Sequence, residues 1–110
     1  MKLLTRQEEL ILLAIFQIRD DSCLLNIRDV LVKNTGKDWA FASLYLSLEN
    51  LRKKGLVRTR RGKPSAVRGG KAVKYYEITK QGFTTLFETK KIQDRMWLGL
   101  SESTAKTEKK

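Results

Sequence analysis

WAFASLYLSLENLRKKG (39–55), LVRTR (56–60), RGKPSAVRGGKA (61–72) and VKYYEIT (73–79) are four consecutive pieces of one 110-residue chain. They read as helix, strand, basic loop and strand. In the first, Leu44, Leu48 and Leu51 recur at i, i+4 and i+7, the core face of a helix over about residues 42–54 that Gly55 stops. Trp39 and Phe41 precede it as apolar anchors for the turn. The second and fourth pieces alternate apolar and polar residues and are rich in β-branched and aromatic side chains, as half-buried strands are. Gly62, Pro64, Gly69 and Gly70 break regular structure between them. The result is a hairpin with a loop of about a dozen residues, well beyond the usual two to five.

Charge concentrates on the same stretch. Of the 23 lysines and arginines, eleven fall between Arg52 and Lys80, against a single acid, Glu77. This segment therefore carries ten of the chain's eleven net positive charges. Ordering a long glycine-rich loop is costly, and a run of cations without acids is suited to ordering against a phosphate backbone. On the helix, Ser43, Ser47 and Asn50 oppose the leucine stripe with Tyr45 beside them. Small hydroxyls and an amide reach base edges without bulk, and a helix N-terminus favours phosphate.

Toward the N-terminus, Thr5 and Glu8 form a capping-box pattern ahead of EELILLAIF. Leu10, Leu13, Ala14 and Ile18 repeat at helical spacing and Ile11, Leu12 and Ile15 widen the stripe. A second, shorter helix is expected over residues 27–34, with Asn26 as N-cap, Gly36 as terminator and Ile27, Val30 and Leu31 inward. Toward the C-terminus, Thr79 caps a fourth helix expected to run to about Leu98. Its apolar positions change phase. Phe83, Leu86 and Phe87 suit packing on the domain, whereas Ile92, Met96 and Leu100, with Trp97 alongside, point to a partner subunit. Residues 101–110 are polar and are expected to be disordered.

These elements predict a mainly α protein with a small β-hairpin: a winged helix-turn-helix over 1–79 and a C-terminal dimerisation helix over 80–100. The longest early apolar run, residues 10–16, is far short of a membrane span. No signal-peptide pattern precedes it, so a cytoplasmic, unprocessed protein is expected. With no histidine and one cysteine, the chain lacks the commonest general base and any disulfide framework or paired-cysteine zinc pattern. There is no phosphate-cradling lysine loop either, and the sequence points away from an enzyme, from metal and from cofactors. Cys23 is expected as a small residue at the edge of the core. Adjacent aromatics for stacking bases are confined to Tyr75 and Tyr76, which disfavours RNA.

At SLY, Ser43 to Tyr45, the chain resembles the PadR-like transcriptional regulators. The resemblance continues through Leu51 and the Gly55-Leu56-Val57 step, the basic Gly69-Gly70-Lys71 and the Tyr75-Tyr76-Glu77-Ile78-Thr79 strand end, to Gly82. It spans about residues 4–87, including EELILLAIF. Two departures stand out: Leu24-Leu25-Asn26 where many members have His-Gly-Tyr, and Leu46 where proline or threonine often follows SLY. The short C-terminal part is similar to that of members which dimerise through that helix and the first one.

The resemblance implies a homodimer that represses transcription from a pseudo-palindromic operator in double-stranded DNA. With the third helix in the major groove, DNA contacts are expected from Ser43, Tyr45, Ser47, Asn50 and Lys54 on that helix and from Arg58, Arg60, Arg61, Lys63, Arg68 and Lys71 on the wing. The dimer interface the resemblance implies combines Leu12 and Ile15 with Ile92, Met96, Trp97 and Leu100. Some short members hold flat aromatic molecules near tryptophans at the dimer centre, so a small hydrophobic effector is compatible with Trp97. The competing expectation is a winged-helix interaction module whose basic wing meets an acidic protein partner, because fold alone does not dictate function.

Overall fold

The computed structural model describes residues 3–62 and 73–108. Helix α1 (Arg6–Ile18) passes through a single 3-10 turn (Arg19–Asp21) into α2 (Leu24–Thr35) and α3 (Phe41–Lys53). Strands β1 (Val57–Arg61) and β2 (Lys74–Ile78) follow, and then α4 (Lys80–Glu108). This is the winged helix-turn-helix order. Lys63, Arg68 and Lys71 of the wing tip lie outside the described residues, as do Pro64, Gly69 and Gly70.

The core is a single apolar cluster. Ile11, Leu12 and Ile15 of α1 and Ile27 and Leu31 of α2 meet Leu44, Leu48 and Leu51 of α3, and the hairpin closes the cluster with Leu56, Val57 and Tyr76. The capping box of α1 forms as expected, Glu8 N donating to Thr5 Oγ1 at 3.1 Å and Thr5 N to Glu8 Oε1 at 2.9 Å.

Helix α2 starts three residues before the position its sequence suggested. Its N-cap is Cys23, without a side-chain cap, and Asn26 lies inside the helix, its Nδ2 donating to Asp21 O at 2.8 Å. The reason is long-range. Cys23 bridges antiparallel to Tyr75, Tyr76 N donates to Ser22 O at 3.0 Å, and the fully buried Ser22 donates its hydroxyl to Tyr76 O. This pairing holds Cys23 extended and adds a short third edge to the hairpin, so the helix begins directly after it. Cys23 is a buried residue at the core's edge.

The turn between α2 and α3 is stapled by Arg28, whose Nε donates to Trp39 O at 2.6 Å and Nη2 to Asp38 Oδ1 at 3.0 Å. Trp39 is half-buried and donates its Nε1 to Thr35 Oγ1 at 3.0 Å. Phe41 is not a core anchor. It is exposed, and its ring lies 4.6 Å from the Arg28 guanidinium carbon, an arrangement that shields the ring and screens the charge together.

β1 and β2 pair antiparallel in the register Val57↔Ile78 to Arg61↔Lys74. Thr79 then ties the hairpin root to α4, accepting from Gly82 N at 3.0 Å and donating to Gly55 O at 2.6 Å. Helix α4 presents Gly82, Thr85, Leu86 and Thr89 inward. Phe83 and Phe87, expected on the domain face, stay at the surface. Small residues let α4 approach the body closely, and Thr85 meets its own need for a partner by donating to Gln81 O at 2.9 Å. The backbone remains helical to Glu108 rather than ending near Leu98. No proline interrupts residues 98–108, and extending an existing helix costs far less than nucleating one.

Candidate nucleic-acid interface

The exposed side of α3 is built by its own periodicity. With Leu44, Leu48 and Leu51 buried, Ser43, Tyr45 and Asn50 are exposed and Ser47 is half-buried. The helix starts at Ala40 without a side-chain cap, so the amides of its first turn have no capping side chain as a partner and stand available to an anion. Ser43 and Ser47 line a cleft of about 290 Å³ beside this terminus, together with Gln7, Lys37 and Asp38. Lys37 belongs to the turn just before α3, whereas Gln7 comes from α1 and was not legible as a neighbour of SLY. Leu46, a departure from the family pattern in the sequence, belongs to the outer side of the helix. At about 100° per residue it stands opposite the buried stripe, and it is 63% exposed.

Lys54 follows as the C-cap of α3. Its Nζ pairs with Glu8 Oε2 at 2.5 Å, tying the end of α3 to the start of α1. Burial opposes the Glu8 charge, but hydrogen bonds from Lys54 and the Thr5 amide outweigh it and keep the carboxyl below its ordinary range. Lys54, expected on DNA, is thus engaged within the fold.

The wing has two chemically different faces, because successive side chains on a strand alternate. Arg58 and Arg60 share one face and converge on Glu77, each Nε at 2.9 Å from a different carboxylate oxygen. Arg60 also donates to Asp20 O at 2.7 Å and stacks 4.5 Å from the Tyr75 ring centroid. Arg58 lines a cleft with Phe16, Arg19, Asp20 and Phe83, on the α1 and α4 side. The hydrogen bond from Arg58, helped by Arg60, holds Glu77 below the usual carboxylate range.

The other face turns to α3. Lys74 Nζ pairs with Glu49 Oε2 at 3.2 Å and lies 5.5 Å from the Tyr45 ring centroid. Arg61 and Lys74 share a polar cleft of about 440 Å³ with Arg52 and Glu49, and Arg60 reaches its lining as well. Hydrogen bonds from Arg52 and then Lys74 hold the Glu49 carboxyl below its ordinary range, so the one acid here is already paired and the cleft retains a surplus of cations. Lys74 was seen as part of the basic run but not assigned a contact.

The residues expected at a dimer interface divide. Leu12 and Ile15 are 0% and 2% exposed in the chain's own core and have no surface to offer a second subunit. Ile92 is half-buried, whereas Met96, Trp97 and Leu100 are exposed. From α1, the large apolar side chains that reach the surface are Leu13 and Phe16. They line a groove of about 460 Å³ with Phe83, Phe87 and Trp97 of α4. Phe16 meets Phe83 edge to face at 6.2 Å, and Gln93 Nε2 donates to Glu9 Oε1 at 3.2 Å across the same helix pair. Among the described residues, no helix is long and apolar enough to cross a membrane.

A family model described as the transcriptional regulator PadR-like family matches residues 18–88, more than half of the chain. No curated protein gives a significant match. Among solved structures, a PadR-like transcriptional regulator from Bacillus cereus is 23% identical, with a TM-score of 0.72 over 89% of this chain and 90% of that one. A PadR-family regulator from Eggerthella lenta is 22% identical, with a TM-score of 0.62 over 92% of this chain and 82% of its own. One from Clostridium difficile is 20% identical, with a TM-score of 0.59 and coverages of 89% and 95%. At such identities the structures establish likeness of fold, and the family model establishes kinship. The chain belongs to the PadR-like family of transcriptional regulators and is a DNA-binding regulator rather than an enzyme.

Proposed function

We propose that two copies of this chain bind a pseudo-palindromic operator in double-stranded DNA and repress transcription from it, in the cytoplasm. The observation that supports this most directly is the adjacency of α3 and the inner face of the wing. Ser43, Tyr45, Ser47 and Asn50 stand on a helix whose N-terminus carries no side-chain cap, and Arg52, Arg61 and Lys74 line the cleft beside it. A helix seated in the major groove would place its side chains on base edges while the flanking cations meet phosphates. Lys63, Arg68 and Lys71 are included in the proposal as further phosphate contacts of the wing.

The second copy docks through the exposed half of α4, using Met96, Trp97 and Leu100, with Leu13 and Phe16 of α1. Two-fold pairing would set the two α3 helices into successive major grooves, roughly 34 Å apart. A small hydrophobic effector entering the groove between α1 and α4 would act on the same pairing.

Selection from a random-sequence duplex pool tests the reading. The expected product is an inverted repeat whose half-sites lie about ten base pairs apart. With about six to eight phosphates neutralised per dimer, affinity should fall with a log–log salt slope of roughly −5 to −7. Absence of any binding to duplex DNA would defeat the proposal.

A further inference from the structure

Leu46 is a large apolar side chain on the wrong side of its helix. It is 63% exposed, opposite the buried Leu44, Leu48 and Leu51. Of its neighbours one turn away, Ala42, Ser43 and Asn50 are small or short and also exposed, and Glu49 is half-buried. Leu46 is the most exposed of the large apolar side chains of α3. Other exposed apolar side chains, such as Phe87, Met96 and Trp97, belong to the continuous surface of α4. Leu46 stands apart from them, next to the exposed Tyr45 on a surface that also carries Ser43, Asn50 and the half-buried Glu49.

A leucine has no donor or acceptor, so it gains nothing from phosphate or from the polar edges of bases. The major groove presents one apolar group, the C5-methyl of thymine. The geometry points to Leu46 as a specificity-determining residue that packs on a thymine methyl in each half-site, with Ser43 and Asn50 on the hydrogen-bonding edges of neighbouring bases. This rests on the proposal that α3 enters the major groove. It goes further by fixing the chemical identity of one base.

The test uses the full chain and the sequence recovered from the duplex pool. Each thymine of the recovered site is replaced in turn by deoxyuridine, symmetrically in both half-sites, which deletes the methyl and leaves every hydrogen-bonding group. Affinity is read by fluorescence anisotropy at fixed salt. At one thymine per half-site, the unaltered protein should lose about fourfold per half-site, the effect expected for one buried methyl. Leu46→Ala should bind the thymine and deoxyuridine sites equally at that position and keep the uridine sensitivity of all others. Because Leu46 is exposed, the variant should retain its unfolding midpoint, which confirms that folding is not the cause. Uridine scans that are the same for both proteins would overturn the assignment while leaving operator binding intact. Failure to recover any preferred sequence would overturn operator binding and the Leu46 assignment with it.

Discussion

Gly82 shows how one missing methylene decides where a helix goes. A Cβ there would sit 2.2 Å from Leu56 O and 2.7 Å from Ile78 Cγ2, and the first of these is backbone that cannot step aside cheaply. Alanine would gain up to about 1 kcal/mol in helix propensity, but overpacking at a close contact costs roughly 1–3 kcal/mol. The clash should win, so Gly82→Ala is expected to lower the denaturant midpoint; a raised midpoint would mean that α4 does not press on Leu56. Tyr76 carries the second residue-scale consequence. Burial, reinforced by the negative charge of Glu49, pushes its phenol from 10.0 up to about 12. A folded-state value above the unfolded one means that this contribution is complete below about pH 10 and is lost as pH rises toward 12. Alkaline titration should therefore show one late phenolate signal that rises together with loss of helical circular dichroism.

At the scale of elements, the hairpin separates its cations by strand alternation. Arg58 and Arg60 are committed to Glu77, and Arg60 also to Asp20. Arg61 and Lys74 line the cleft beside α3, which Arg60 also reaches. Arg61→Ala or Lys74→Ala should each make the salt slope shallower by about one per half-site, and uniformly across DNA sequences. Arg58→Ala should leave the slope nearly unchanged. Equal effects of Arg58→Ala and Arg61→Ala would remove the distinction between the faces. Arg28 acts on α2 and α3 in a comparable way: by holding Trp39 O and Asp38 it sets the turn that presents Ser43.

At the scale of the molecule, the extents are 66 × 30 × 21 Å. The long dimension fits α4, whose 29 residues make a rod of about 44 Å. Its first half is anchored through Gly82, Leu86 and Thr89, and beyond them Met96, Trp97, Leu98 and Leu100 are exposed together. A double substitution, Met96→Glu with Trp97→Glu, should shift the protein to monomer in sedimentation velocity and weaken binding to a two-half-site operator far more than to a single half-site. Leu12→Ala should behave differently, losing about 2–5 kcal/mol of stability, because Leu12 is wholly inside its own protomer.

Local and periodic features were legible without a structure. The Thr5–Glu8 capping box, the leucine stripe of α3, the glycine stops at Gly36 and Gly55 and the Thr79 cap each depend on residues within a turn or two of one another, and neighbours in sequence determine them. The concentration of charge on the wing is likewise a property of composition. What escaped depends on groups far apart in the chain. The start of α2 is set by Tyr75 and Tyr76 acting on Ser22 and Cys23. Lys54 is paired with Glu8, 46 residues away, and Arg58 and Arg60 with Glu77. Leu12 and Leu46 have the same chemistry, yet one is core and the other solvent-facing. Hydrophobicity names the residues that can be buried; only the packing of helices and hairpin around one small core decides which of them are.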